Sequence, residues 1–145
     1  MVCLGNICRS PLAQGIAEDY SKRNGLGWEV DSAGTSSWHI DELPDRRSIE
    51  TARKRGIDIT DQRARQIKSR DLENFDLILA MDSSNYQDII SLTENEHLKL
   101  KVKLILNYLD PGRNASVPDP YFDGGFDHVF NLIESAIARM AEIEK

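Results

Sequence analysis

Apolar residues recur at helical spacing early in the chain, at Leu12, Ala13, Ile16, Ala17 and Tyr20, until Gly25 and Gly27 stop the pattern. The spacing predicts a first helix with Ser10 as its N-cap and Pro11 at the first helical position, where a missing N–H costs nothing. From Trp28 to Ala33 the period shortens to two, with Trp28, Val30 and Ser32 on one face, which predicts a strand closed by Gly34. Thr35 to Pro44 is a polar loop carrying Trp38, and a second helix is expected from Asp45 through Ile49, Ala52 and Arg55 to Gly56. A short helix is expected at Ser69 to Asn74, then an apolar strand at Phe75 to Met81, then a helix through Tyr86 and Ile90 capped by Asp82. A further strand is read around Val102 to Leu106, after which Asp110-Pro111-Gly112 turns the chain into a long loop. The last element is an amphipathic helix from Phe126 to Glu144 built on Phe126, Val129, Phe130, Ile133, Ile137 and Met140. Strand, helix and strand in this order make a βαβ unit, so the fold class is α/β with a parallel sheet.

Composition narrows the picture without changing it. At 145 residues, 40% of them hydrophobic and 29% charged, the chain reads as one folded domain over 1–145, with no repeat or linker dividing it. No apolar run approaches the roughly 20 residues of a membrane span, so no membrane partner is expected. The start lacks a basic segment followed by an apolar one, so a cytoplasmic location is expected. A formal charge of −6 argues against a protein that grips nucleic acid over its whole surface, although a local cradle for phosphate stays open. Cys3 and Cys8 are too close for a secreted disulfide framework, and His39, His97 and His128 are too scattered to read as metal ligands. No cofactor and no metal are expected.

The candidate chemistry lies in Cys3-Leu4-Gly5-Asn6-Ile7-Cys8-Arg9-Ser10-Pro11. Backbone N–H groups of a short loop that runs into a helix N-terminus converge on one point, and with the helix dipole they form a receptor for a dianion. Gly5 permits the tight path. Arg9 adds a planar fork for two phosphate oxygens, and the same positive field favours an anionic sulfur nucleophile at Cys3. Near the other end, Asp119 stands between Pro118 and Pro120, ahead of Tyr121 and Phe122, which reads as a turn or as an acid placed in a loop. Trp38 reads either as a loop anchor or as a wall for an aromatic ring. Asp82 reads first as an N-cap, and for Arg63 and Arg65 a solvated face is one of two open readings, the other being a part in the site.

Cys-x5-Arg followed by Ser, within Val-Cys-Leu-Gly-Asn-Ile-Cys-Arg-Ser-Pro, resembles the signature of the low-molecular-weight protein tyrosine phosphatases, and the likeness runs through essentially the whole chain. The resemblance implies a three-layer sandwich, a four-stranded parallel sheet flanked by helices, with the phosphate-binding loop (Leu4, Gly5, Asn6, Ile7, Cys8, Arg9, Ser10) after the first strand. It implies Cys3 as nucleophile, Arg9 as phosphate clamp, and Asp119, within the Asp-Pro-Tyr run, as general acid and base. It implies Trp38, Tyr121 and Phe122 around the site's mouth, and Asn6, Ser10, Ser32 and Gln62 as loop support, Gln62 standing where many members have His. Asp41 stands where the family commonly has Gly, so a different loop path is expected there. The implied substrates are phosphotyrosine proteins, and the protein is expected to be a monomer or weak dimer. Cys3 and Cys8 are a candidate redox pair, the alternative being that Cys8 fills space beneath the loop. The family's first strand lies mid-sheet where only Met1 and Val2 precede Cys3, so the start is expected to be an internal Met of a longer chain.

Three other readings remain at this point. Arsenate reductases of similar fold use a relay of cysteines, but Ala80-Met81-Asp82 occupies the region where a third would stand. Phosphoarginine phosphatases resembling this chain carry Thr between the loop's Asn and Cys, where this chain has Ile7. A non-catalytic phosphate-binding or redox-sensing module would have no use for Asp119 as a proton donor.

Overall fold

The computed structural model describes residues 1–144. Four parallel strands, β1 (Val2–Cys3), β2 (Ala33–Gly34), β3 (Ile78–Ala80) and β4 (Val102–Leu104), lie in the order β2-β1-β3-β4. Val2 pairs with Ala33 on one side and with Ala80 on the other, so a strand of two residues occupies an interior position. Side chains alternate across the sheet and sort into two cores. Cys3, Leu79 and Met81 face Leu12, Ile16, Phe130, Ile133 and Ile137, which come from α1 (Arg9–Asn24) and α7 (Phe126–Ile143). Val2, Ala33, Ile78, Ala80 and Leu104 face the opposite way, against Leu72 of α3 (Ser69–Asn74) and Ile89 of α4 (Ser83–Ile90). Helices on both faces make the expected three layers, and burial on both faces explains why β3 reads as an apolar run rather than an alternation.

The second strand differs from expectation. Trp28 to Val30 form no ladder, and β2 is confined to Ala33–Gly34. The reason is the partner: Met1 accepts from the Ala33 N–H at 3.0 Å and its amine donates to the Asp31 carbonyl at 3.0 Å, so residues before 31 run past the end of β1. Trp28 packs instead against the Tyr20 ring, with centroids 6.2 Å apart. The predicted strand at Val102 to Leu106 likewise ends at Leu104 and tightens into a 3₁₀ turn over Ile105–Tyr108. Two short helices escaped the sequence reading: α5 (Glu96–Lys99), capped by the Asn95 side chain, and α6 (Pro120–Asp123), capped by Asp119. The helix α2 (Arg46–Arg53) starts as expected, with the Asp45 carboxylate accepting from the Arg47 N–H.

Parallel strands carry their loops at one common end. Cys3, Gly34 and Ala80 end their strands on the same side, which gathers the β1–α1 loop, the turn carrying Trp38 and the N-terminus of α4 on one edge.

Candidate active site

Cys3 ends β1, and its buried sulfur lies 3.0 Å from the Ser10 hydroxyl and 3.3 Å from the Asn6 N–H. This corrects the reading of Ser10 as an N-cap. The helix α1 begins at Arg9, with Cys8 at the cap position and no side-chain cap bond, because the Ser10 hydroxyl is occupied by Cys3 and Asn6. Pro11 is then the third helical residue, still among those whose N–H has no intrahelical partner.

The loop's carbonyls are tied outward. Thr35 donates to the Cys3 carbonyl at 2.9 Å, Ser36 to Leu4 at 2.9 Å, Asp45 to Ile7 at 2.7 Å, and the Ser48 hydroxyl to Cys8 at 3.2 Å. Each peptide is planar and trans, so these bonds turn the N–H groups of Leu4, Gly5, Cys8 and Arg9 to the opposite, concave side. Gly34 allows the close approach of β2, since a Cβ there would stand 2.8 Å from the Leu4 carbonyl. Asn6 takes a left-handed φ of 57°, costly for a residue with a side chain, and three bonds hold it there. Its amide nitrogen donates to Ser10 at 2.8 Å and to Ser32 at 2.9 Å, and its oxygen accepts from the Arg65 N–H at 3.0 Å.

The predicted support residues divide. Asn6, Ser10 and Ser32 form one network, extended by Gln14, which accepts from the Ser32 hydroxyl at 2.7 Å. Gln62 stands apart, buried and donating to the Pro11 carbonyl at 3.1 Å, so it braces the first turn of α1 rather than the loop itself. Arg65 is not the solvated residue its composition suggested. Its side chain forks onto both oxygens of Asp71, at 3.0 and 3.2 Å, and reaches Asp31 at 3.1 Å. Burial pulls the Asp71 carboxyl upward, but the Arg65 fork and the Lys68 N–H outweigh it and hold the group below its ordinary value. Arg63, by contrast, lies on the surface, bonded to the Thr60 and Gln62 carbonyls.

Arg9 is 3% exposed, and one of its terminal nitrogens donates both to Asp82 at 2.8 Å and to the Val117 carbonyl at 3.0 Å. The other lies 3.6 Å from the Asp119 carboxylate. Asp82 also caps α4 through the Asn85 N–H, so one carboxylate anchors a helix and aims the arginine. The sequence reading missed that second task. A signal was present: Asp82 stands two residues after β3, at the end of a parallel sheet where sites assemble.

Asp119 is partly exposed and accepts from the Tyr121 N–H at 3.0 Å. The Tyr121 and Phe122 rings meet edge to face 4.9 Å apart, with Phe122 84% exposed. Trp38 is 71% exposed, which excludes its reading as a tucked anchor. The next residue, His39, would meet a Cβ on Gly5 at 3.0 Å, so the Trp38 turn rests against the β1–α1 loop. Asp41 adopts a left-handed φ of 68°, the region glycine enters freely. Cys8 is a free buried thiol, and burial, followed by the charges of Asp45 and Cys3, pushes it up to about 12. It is therefore protonated near neutral pH.

A family model described as low molecular weight phosphotyrosine protein phosphatase matches residues 1–145. YfkJ, a low molecular weight protein-tyrosine-phosphatase of Bacillus subtilis, is 39% identical over 147 residues, spanning 99% of this chain and 94% of that protein. Its crystal structure superposes with a TM-score of 0.91, covering 99% of this chain and 91% of that one. The human low molecular weight phosphotyrosine protein phosphatase is 37% identical over 89% of this chain and 84% of its own length. The structure of DARP, a Drosophila arginine phosphatase, aligns at a TM-score of 0.89 with 32% identity, over 99% of this chain and 95% of that chain. With the signature loop, the sheet order and full-length similarity in agreement, this chain belongs to the low molecular weight phosphotyrosine protein phosphatases.

Proposed function

We propose that this chain hydrolyses phosphotyrosine in proteins through a phosphocysteine on Cys3, with Asp119 as general acid and then general base. The observation that carries the reading is the buried Arg9, fixed by Asp82 and Val117, with the Cys3 loop on one side and the Asp119 carboxylate 3.6 Å away on the other. The Cys3 thiolate attacks phosphorus in line as the phosphorus–oxygen bond to the tyrosyl group breaks, and protonated Asp119 gives its proton to the departing oxygen. Arg9 and the inward N–H groups hold the three equatorial oxygens as charge redistributes. Water then attacks the phosphocysteine, Asp119 takes its proton, and inorganic phosphate leaves with Cys3 restored as thiolate.

Trp38, Tyr121 and Phe122 form the aromatic walls of the mouth in this reading, which a phenyl ring fills while phosphoserine falls short of an in-line position. The Drosophila arginine phosphatase among the structural relatives makes phosphoarginine the competing substrate. Ile7 argues against it, since a side chain without a hydrogen-bonding group gives a phosphoramidate nothing to bond. Phosphotyrosine, phosphoserine, phosphothreonine and phosphoarginine on one peptide scaffold separate the readings by kcat/KM. Phosphotyrosine is expected to lead, and phosphoarginine leading would overturn the assignment.

A further inference from the structure

The segment that carries Asp119 has few ties to the rest of the molecule. Val117 donates to the Met81 carbonyl at 2.8 Å, and Asp127 pairs with Lys54 and Arg55. Between them, apart from the Val129 N–H on the Gly125 carbonyl at the start of α7 and the 3.6 Å approach of Arg9 to Asp119, one side-chain hydrogen bond among the described residues joins the segment to another element: a terminal nitrogen of Arg47 donates to the Tyr121 carbonyl at 3.0 Å. Tyr121 gives its own N–H to the Asp119 carboxylate, so a single residue is bonded to the acid through its N–H and to Arg47 through its C=O.

Arg47 is itself fixed. Its Nε and second terminal nitrogen bond the two oxygens of Asp45 at 3.1 and 3.0 Å, and the Asp45 N–H holds the Ile7 carbonyl of the phosphate loop. The guanidinium carbon lies 5.5 Å from the centroid of the Tyr121 ring and 4.7 Å from that of Phe126, within cation–π reach of both. Those rings flank Gly124 and Gly125, two consecutive glycines at φ 80°, a natural pivot for the segment. A surface ion pair of this kind adds little stability by itself. Its consequence here is geometric.

We propose that Arg47 is a positioning residue for proton transfer, latching the acid-bearing segment to the phosphate loop through Asp45 so that the Asp119 carboxylate meets the departing oxygen. The proposal rests on the reading of Asp119 as general acid. Without the latch the segment swings about its glycines and the acid is out of reach for part of the time, while Cys3, Arg9 and the loop amides keep their places. Turnover of an ester whose leaving group needs a proton then suffers more than turnover of one that leaves as a stable anion.

The test compares phenyl phosphate with p-nitrophenyl phosphate for wild type, Arg47→Gln, Asp119→Asn and the double variant. Arg47→Gln is expected to raise the ratio of p-nitrophenyl to phenyl turnover by about tenfold, part of the 10²–10⁴ that a general acid supplies, and to raise it no further when Asp119 is already Asn. If Asp119→Asn shifts the ratio and Arg47→Gln slows both esters equally or neither, the role of Arg47 is overturned alone. If Asp119→Asn leaves the ratio unchanged, the acid itself is wrong and the proposal falls with it. An unchanged ratio with weakened inhibition by inorganic phosphate would place Arg47 in support of the phosphate loop instead and overturn the proposal. Arg47→Lys keeps the charge but replaces with one nitrogen the three that bond the two Asp45 oxygens and Tyr121, so it loses the rigid fork, and it carries the same expected shift should Arg47→Gln not fold.

Discussion

The β1–α1 loop is braced by hydrogen bonds, with Cys3, Asn6, Cys8 and Arg9 buried: its carbonyls meet Thr35, Ser36, Asp45 and Ser48, and Asn6 is pinned by Ser10, Ser32 and the Arg65 backbone. The segment from Pro118 to Gly125 is its opposite, with Asp119, Tyr121 and Phe122 exposed and, among the described residues, a single side chain, Arg47, bonded to its backbone from another element. Fixed donors stabilise charge that develops at phosphorus only if they need no rearrangement at that moment, which calls for a braced loop. A proton donor must instead stand aside for a bulky phosphoprotein and then meet the leaving oxygen, which calls for a segment with few ties. Arg9 joins the two, since it belongs to the first loop and its guanidinium lies 3.6 Å from the Asp119 carboxylate of the second.

The strongest way to break the comparison is to remove the braced side. Cys3→Ser and Arg9→Ala should each abolish measurable turnover of p-nitrophenyl phosphate, because neither nucleophile nor clamp has a substitute within the loop. Asp119→Asn should be milder and selective, slowing phenyl phosphate by about 10²–10⁴-fold and p-nitrophenyl phosphate much less. Equal slowing of both would detach the second loop from proton transfer. Asp82→Asn sharpens the picture, since it keeps an oxygen for Arg9 but removes the charge. Loss of one charged hydrogen bond predicts about a tenfold fall in kcat/KM, without the leaving-group selectivity of Asp119→Asn.

The smallest effect on activity is expected at Asp71, which supports the braced loop from a distance through Arg65 and Asn6. Its carboxyl is held below the ordinary value of 3.8, so its contribution to stability is present above that pH and is lost as pH falls through the lowered value. Asp71→Asn should therefore lower Tm at pH 7, and the gap from wild type should narrow below about pH 4. A gap that widens in acid would contradict the assignment.

What the sequence discloses follows how local each feature is. Cys3 to Ser10 is contiguous, so the anion cradle reads from the residues in order. The amphipathic period of α7 and the apolar run at β3 come through for the same reason. Strand length does not, because β2 is bounded by where β1 ends rather than by the alternation of Trp28, Val30 and Ser32. The Ser10 hydroxyl looks like a cap until Asn6 and Cys3 are seen to hold it. Pairings between distant residues leave little local trace: Ser32 with Gln14 and Arg47 with Tyr121 each depend on elements that meet only in the folded molecule, and the position of Asp82 just after β3 is a hint of a site but does not name Arg9 as its partner. The resemblance implies Gln62 as loop support, but its bond to the Pro11 carbonyl ties it to the first turn of α1, a contact that only the folded chain discloses.

The central claim is that the braced loop carries the phosphoryl group covalently on Cys3 while the second loop moves protons. Rapid acid quenching of Asp119→Asn during turnover of p-nitrophenyl phosphate, followed by peptide mass spectrometry, tests it directly. The account predicts a phosphoryl group on the peptide containing Cys3, absent from Cys3→Ser. Turnover with no phosphorylated Cys3 peptide, or a phosphoryl group on another residue that survives Cys3→Ser, would contradict it.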